Sequence, residues 1–336
     1  MTEAQKESEY FYIWKALCCW MILFIHSQIP GNAEKVILVV TRIGVLVFFA
    51  ISGWYLFRSD DIEQQVKQLK TKTRKTVWLT LRVSLICMIF AAGIDILGDA
   101  KRPAWEWFAE KFNPVQILRL FFFNDSKMME AYAYHLWYLF AMINCYAILY
   151  CSKKLEQRFK LVGDKRSIIL VLLAAMFFLE IVPDEPQLVW YRNWLFEGLP
   201  CILMGVYAKK NMIHTPPRIP IFCGIVLSIA EMFIFGEREI YFGSVLTVLL
   251  ILQKEHFSDF DWLPDQLKKI LVHIGKDLSG KIYCYHMMVH TTLIIQINKW
   301  SYGWIWFRSI LVMVLSVLLA ELLYRFENKM RMRKQV

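Results

Sequence analysis

Charged side chains are scarce in this chain of 336 residues: Asp, Glu, Lys and Arg make up 20% of it, whereas 57% of the residues are hydrophobic. A typical soluble domain is about a quarter charged and about half apolar. The sequence also lacks internal repeats, low-complexity segments and a polar linker long enough to divide it. This composition excludes a soluble enzyme, a disordered chain, a collagen-like fibre and a small disulfide scaffold.

Apolar runs long enough to cross a bilayer are abundant. They predict helices at 10–29, 36–57, 77–97, 132–151, 167–183, 190–208, 219–235, 240–253, 278–297 and 304–324. Tryptophans flank many of the ends, as expected of side chains that settle at the headgroup level. The runs are continuous and have no period of two, which excludes a transmembrane barrel. We therefore expect an all-α integral membrane protein, with about ten transmembrane helices in one bundle and residues 1–336 as a single domain.

The net charge of +10 is explained by where the basic residues lie. The N-terminus, every second connection and the C-terminal tail together hold 26 of the 39 Lys and Arg. Because basic loops stay in the cytosol, both termini are predicted to be cytosolic. No nucleic-acid partner is expected, since the basic loop 67–75 has no interleaved aromatic residues. No cleavable signal peptide is predicted either, because the first nine residues are polar and no small-residue cleavage site follows the first apolar run.

Metal-ligand spacing is also missing. The eight cysteines lie in or beside the predicted spans and are interpreted as small core side chains. His26, His135 and His286 are expected at similar depth but lack local ligand spacing such as His-Glu-x-x-His. The sequence therefore predicts no metal site.

The first predicted span carries two ionisable residues, Lys15 and His26. Such groups are costly inside a membrane and are candidates for function by default. Their separation of eleven residues returns nearly to the same helical face and places them roughly 16 Å apart along the axis. One face therefore presents a cation towards the cytosol and an imidazole farther out. A snorkelling lysine and an interface histidine are the structural alternatives.

Other polar residues are predicted at the same two depths. The outer group consists of Arg42, His135, Arg192, Asn193 and Glu197, and the cytosolic group of Ser52, Gly53, Lys70, Lys72, Arg74 and Lys75. In the ninth span, spacings of four, three and four put four residues on one helix face: Ser279, Tyr283, His286 and His290. A polar channel of this kind suits a long anionic substrate that enters from the cytosol and meets a general base beyond it. It would equally suit a proton-coupled transporter.

Five of these segments, in order along the chain, resemble the motifs of the membrane-bound acyltransferase 3 family, which includes O-acetyltransferases of bacterial surface polysaccharides. The similar segments run from Lys15 to His26, over Phe48-Phe49-Ala50-Ile51-Ser52-Gly53-Trp54 with Arg42 before it, over His135-Leu136-Trp137, over Arg192 to Pro200, and over Ser279-Gly280-Lys281-Ile282-Tyr283-Cys284-Tyr285-His286. The chain departs from the family at Lys15, where arginine is usual, and at Lys72-x-x-Lys75, which stands where the family has Arg-x-x-Arg. The charge is retained at both places, but the bidentate geometry of arginine is lost.

The resemblance implies an acyltransferase that takes acetyl groups from acetyl-CoA, a co-substrate, with no permanently bound cofactor. It implies that Lys72, Arg74 and Lys75 hold the phosphates of acetyl-CoA and that the pantetheine arm passes Lys15 and Ser52. His26 is then the general base on an acceptor hydroxyl, or the carrier of the acyl group. Arg42 is implied to bind the acceptor, and His135, Arg192 and Glu197 are implied to bind it or to orient His26. Tyr283 and His286 are implied to bind substrate or to line the channel.

The implied acceptor is a cell-surface or lipid-linked glycan, and the implied location is the bacterial cytoplasmic membrane. A transporter and a non-catalytic component of an envelope polysaccharide complex are the alternatives. A transporter commonly shows inverted repeats, which this sequence lacks, and an assembly partner has no need of Lys15 and His26 on one face. The lipid bilayer is the remaining expected partner, and homodimerisation is left open.

Overall fold

The structure is a computed structural model that describes residues 2–27, 33–98, 103–124, 134–159, 168–169, 172–175, 177, 193–211, 219–297 and 305–333. Within these ranges the regular structure is helical and contains no strand, which confirms the all-α fold class. The predicted span 167–183 lies mostly outside the described residues, and Arg192 lies wholly outside them.

The helices follow one another in the order α1 (Glu3–Ser27), α2 (Ala33–Trp54), α3 (Ile62–Gly98), α4 (Ala104–Lys111), α5 (Pro114–Phe123), α6 (Trp137–Phe159), α7 (Leu199–Asn211), α8 (Ile221–Phe235), α9 (Phe242–Ile251), α10 (Asp265–His273), α11 (Ser279–Ile297) and α12 (Ile305–Arg333). Short 3₁₀ turns occupy Tyr134–Leu136 and Lys254–His256. Among the described residues, two single turns are π-helical: Trp194–Gly198 leads directly into α7, and Ile274–Leu278 joins α10 to α11.

The chain divides into two compact units. Unit 1 consists of residues 1–48 and 212–336, and unit 2 consists of residues 49–211, so the boundary falls inside α2. The prediction of a single domain remains a prediction.

Four helical segments in the described part of the chain are long and apolar enough to cross a membrane: Glu3–His26, Ala33–Trp54, Ile62–Ile94 and Phe307–Arg333. Two of them show a one-sided exposed apolar stripe at helical spacing, namely Trp78, Leu81, Leu85 and Ile89 on α3 and Phe307, Ile310, Val314, Leu318 and Leu322 on α12. A long exposed apolar stripe on a helix is a liability in water and is typical of a surface that faces lipid. These helices make the chain a membrane protein.

Other predicted spans have shorter helices. The helix α8 has 15 residues and α9 has 10, whereas crossing the hydrocarbon core takes about 20 residues. Conversely, α3 has 37 residues and begins 15 positions before the predicted span 77–97. The connection after α3 contains α4 and α5; Asn113 caps α5 by accepting the N–H of Gln116 (3.0 Å), and Asn124 ends it in the left-handed conformation.

In unit 1, α1 packs against α10, α11, α12 and the π turn between α10 and α11. The buried apolar contacts include Ile13, Ala16, Leu23, Leu278 and Ile282. At the first half of α1, Tyr10 lies among aromatic rings, and its hydroxyl donates to the carbonyl of Ile251 (3.1 Å). The helix that carries Lys15 and His26 is therefore held along its length.

The pair α8 and α9 of unit 1 packs through small residues. The hydroxyls of Ser228 and Ser244 lie 3.1 Å apart. A Cβ on Gly243 would come within 2.3 Å of the backbone nitrogen of Ser228. Small residues that admit such close backbone approach are frequent where helices associate in membranes.

In unit 2, the end of α2 meets α7 backbone to backbone. A Cβ on Gly53 would lie 2.0 Å from the carbonyl oxygen of Ile202, and a Cβ on Gly205 would lie 2.0 Å from that of Ala50. The helices α3 and α6 form the other main contact of this unit. The two glycines thus fix the position of the Ser52-Gly53 turn against α7.

Candidate functional site

The two ionisable residues of α1 are both half-buried in unit 1. Lys15 lies in the middle of the helix, next to the buried thiols of Cys18 and Cys19. His26 lies in the last helical turn. The single helix predicted for this segment is confirmed, and with it the helical spacing between the two residues.

His26 meets His286 of α11 within unit 1. The two imidazole rings are stacked, with centroids 5.2 Å apart and planes inclined by 24°. The His286 side chain is almost completely buried, at 1% exposure. The structure therefore brings together two of the predicted site residues that are 260 positions apart in the sequence.

The hydrogen bonds of His286 determine its tautomer. Its Nδ1 lies 2.9 Å from the carbonyl oxygen of Tyr283 and 3.2 Å from that of Ile282. A carbonyl oxygen only accepts, so Nδ1 must carry a hydrogen and donate it. In the neutral ring Nε2 is then the unprotonated nitrogen, and its lone pair points away from the backbone of α11.

The predicted polar face of α11 extends to both sides of His286. The ring of Tyr283 lies 6.3 Å from that of His286, centroid to centroid. His290 is buried one turn farther along the helix, and Ser279 is buried at its start. The Ser279 hydroxyl donates to the carbonyl of Gly275 (2.7 Å), so this serine supports the π turn that precedes α11.

That π turn lies directly on α1. A Cβ on Gly275 would lie 1.7 Å from the carbonyl oxygen of Tyr12, so only glycine permits this approach. A π turn inserts one extra residue and shifts the faces of the helix before and after it, and such turns are frequent at functional sites. Here it lets α10 and α11 run as one helix while α1 stays in contact with both.

Arg42 of α2 is engaged in an ion pair within unit 1. Its guanidinium lies 3.1 Å from Glu239 and donates to the carbonyl oxygen of Arg238 (2.6 Å). The charge of Arg42 therefore holds α2 to the connection between α8 and α9.

The remaining candidates described by the structure belong to unit 2. The hydroxyl of Ser52 lies 3.3 Å from the hydroxyl of Tyr138. Lys72 is half-buried and donates to the carbonyl oxygen of Tyr55 (2.7 Å). Arg74 and Lys75 are exposed, as groups that meet a soluble anion must be.

His135 and Glu197 are nearly completely buried in unit 2, with 1% and 7% exposure. His135 lies in the 3₁₀ turn before α6, and Glu197 lies in the π turn before α7. The side chain of Asn193 caps this π turn, since its Oδ1 accepts from the N–H groups of Leu195 (2.8 Å) and Phe196 (3.1 Å). Asn124 accepts from the N–H of Trp194 (3.0 Å), so the position of Glu197 depends on two asparagines.

Sequence reasoning missed a charged cluster around His273 of α10. The Nδ1 of His273 lies 3.0 Å from Asp277, and its Nε2 lies 2.9 Å from Glu321 of α12. The spacing of four between His273 and Asp277 was a readable signal, whereas the contact with Glu321 had none. A surface cavity of about 340 Å³ adjoins this cluster. Its lining includes Glu9 of α1, Lys268 and Lys269 of α10, and Lys276 of the π turn.

Both partners of His273 are carboxylates, and His273 lies outside the four candidate spans. The hydrogen bond to Glu321 and, less strongly, the hydrogen bond to Asp277 raise the pKa of His273 above its ordinary value, while partial burial opposes them. The imidazolium form is the one that donates from both nitrogens at once. In the described residues, this cluster included, no group of three or more His, Cys, Asp or Glu side chains is arranged to hold a metal ion.

The comparison with protein families covers nearly the whole chain. A family model described as an acyltransferase domain matches residues 9–325. Significant matches to curated proteins and to solved structures are lacking. The matched range includes the stacked histidine pair of unit 1 and all the candidate residues of unit 2. The chain accordingly belongs to the acyltransferase 3 family and is a membrane acyltransferase.

Proposed function

We propose that the protein transfers an acetyl group from cytosolic acetyl-CoA to a hydroxyl of a cell-surface or lipid-linked glycan, with His26 as general base or acyl carrier. The observation that carries the proposal is the stacked pair of half-buried His26 and buried His286 in unit 1, in a chain that belongs to an acyltransferase family. An imidazole is the side chain that most often moves protons at neutral pH.

The proposed topology has ten spans and both termini in the cytosol of a bacterial cell. It rests on the distribution of Lys and Arg. In this topology Arg74 and Lys75, which are exposed, meet the phosphates of acetyl-CoA at the cytosolic side, and Lys72 adds a third positive charge. Lys15 and Ser52 lie along the path of the pantetheine arm. Charge attraction binds the phosphates without a glycine-rich loop.

The chemistry can follow two routes. In the first, His26 takes the proton of the acceptor hydroxyl, the oxygen attacks the thioester carbonyl, the C–S bond breaks and coenzyme A leaves as the thiolate. In the second, a nitrogen of His26 attacks the thioester, coenzyme A leaves, and the acceptor hydroxyl then takes the acetyl group from the imidazole and releases its proton. Acceptor binding is assigned to Arg42, His135, Arg192, Glu197 and Tyr283, and His286 lines the channel beside His26.

The two alternative functions differ from this one in what they consume. A proton-coupled transporter moves its substrate unchanged, and an assembly component consumes nothing, whereas an acetyltransferase converts acetyl-CoA into free coenzyme A. Release of coenzyme A that depends on a glycan acceptor favours acetyl transfer over both alternatives.

The test uses membranes that contain the wild-type protein or the variant His26→Ala, incubated with acetyl-CoA labelled in the acetyl group. Loss of the base should reduce label in the envelope glycan by roughly 10²- to 10⁴-fold. The control variant is His273→Gln, which changes a histidine at the surface cavity and should retain labelling. Equal labelling by wild type and His26→Ala would contradict the role of His26.

A further inference from the structure

His26 lies next to Ser27, the last residue of α1 that the structure describes. A general base must be held within a fraction of an ångström of the atom from which it takes a proton.

His286 is held firmly by its own helix. It lies in the interior of the 19-residue helix α11, and its Nδ1 donates to the carbonyls of Tyr283 and Ile282. Its side chain is 1% exposed. The plane of the His286 ring is therefore fixed by hydrogen bonds to its own helix and by close packing.

The contact between the two residues is made by ring faces. The inclination of 24° and the centroid distance of 5.2 Å describe stacked rings. In this arrangement the nitrogens of each ring point sideways, in the plane of the ring, so the stacking itself uses none of them. A stacked partner can thus fix the orientation of His26 and leave its nitrogens for chemistry.

We propose that His286 is the positioning residue for His26: a rigidly held ring on α11 that orients the histidine at the end of α1 by stacking on its face. This inference rests on the proposed function, since it assigns a task within the same reaction. It differs from binding of the acceptor by His286, because the property that matters is the aromatic face of the side chain and not its nitrogens.

Two substitutions at His286 distinguish a role of its ring face from a role of its ring nitrogens. His286→Phe keeps an aromatic face and removes both nitrogens, whereas His286→Asn keeps an N–H donor for the carbonyl of the preceding turn and removes the ring. In membranes with labelled acetyl-CoA, His286→Phe should remain within about threefold of wild type, because rings of this size stack in similar geometries. His286→Asn should lose roughly tenfold to hundredfold in kcat, with little change in KM for acetyl-CoA, because a misplaced base slows the chemical step. Thermal unfolding of each variant in detergent shows whether it is folded.

A second measurement is independent of the reaction. Diethyl pyrocarbonate modifies unprotonated imidazole, and peptide mass spectrometry then reports the modification rate of His26 alone. The modification rate of His26 should be unchanged in His286→Phe and higher in His286→Asn, where the ring that stacks on one face of His26 is gone.

If His286→Phe is as inactive as His286→Asn, the nitrogens of His286 are needed and the inference is overturned. It is also overturned if His286→Asn has wild-type activity and wild-type modification of His26. Absence of acetyl transfer by the wild type would instead refute the proposed function, and the modification rates would still test the contact.

Discussion

The two π turns, one in each unit, are held in place in different ways. In unit 2, Trp194–Gly198 stands at the start of a helix, and the side chain of Asn193 satisfies the N–H groups of Leu195 and Phe196. In unit 1, Ile274–Leu278 lies inside a continuous helix, and Gly275 packs against the backbone of Tyr12. A capping side chain can be replaced by another acceptor of similar length, whereas no side chain fits where two backbones touch. We therefore expect unit 1 to tolerate changes at its π turn less well than unit 2.

The largest effect is expected for Gly275→Ala. The added Cβ would meet the carbonyl oxygen and carbonyl carbon of Tyr12 at 1.7 and 2.6 Å, and backbone cannot move aside as the end of a side chain can. The free energy of unfolding should fall by more than about 3 kcal/mol, the upper end of ordinary overpacking, or the protein should fail to accumulate. Thermal unfolding in detergent measures the change.

The matched control for that substitution is Gly280→Ala in the first turn of α11. A Cβ on Gly280 has no neighbour within 4 Å, and alanine favours a helix over glycine by up to about 1 kcal/mol. This variant should melt at or above the temperature of the wild type. Equal melting of Gly275→Ala and Gly280→Ala would contradict the close contact of α1 with the π turn.

A smaller effect is expected for Asn193→Ala in unit 2. This change removes the acceptor of two backbone N–H groups at a buried helix start, and loss of such a cap costs about 1–2 kcal/mol. Asn193→Ser keeps an acceptor oxygen and should recover much of the loss. If Asn193→Ala and Asn193→Ser unfold at the wild-type temperature, the cap does not hold the π turn, and the contrast between the two units fails.

The fold class and one helix face were predictable because they depend on local patterns. A continuous apolar run predicts a membrane helix from its own residues alone. The four residues Ser279, Tyr283, His286 and His290 all lie within α11, after the π turn, so their helical spacing is regular. The π turn shifts the helical register of α10 relative to that of α11. The spacing along the sequence therefore did not predict the direction of the His273 side chain. Nothing in the local pattern marks Ile274–Leu278 or Trp194–Gly198 as π-helical.

The contacts that build the candidate site were less accessible to sequence reasoning. His26 and His286 were each selected because they are ionisable groups in apolar runs, yet their stacking joins residues far apart in the chain. Likewise, Arg42 was assigned to the acceptor, and its ion pair with Glu239 could not be inferred from either residue alone. Pairing between distant helices depends on packing, which hydropathy and spacing do not encode.

The smallest effect is expected from the charged cluster beside the π turn of unit 1. Glu321 first and Asp277 second raise the pKa of His273, so the folded state binds this proton more tightly than the unfolded state does. The resulting stabilisation is fully present below the ordinary histidine pKa of about 6.5 and is lost as the pH rises through the higher folded value. Because the His273 side chain is 39% exposed, water screens the pairs and the contribution should stay below about 1 kcal/mol.

Unfolding temperatures at about pH 6 and about pH 9 should therefore differ less in His273→Gln than in the wild type. Glu321→Gln should reduce the pH dependence more than Asp277→Asn does. The reverse order would show that Asp277 is the stronger partner, and an unchanged pH dependence in His273→Gln would mean that other groups carry it.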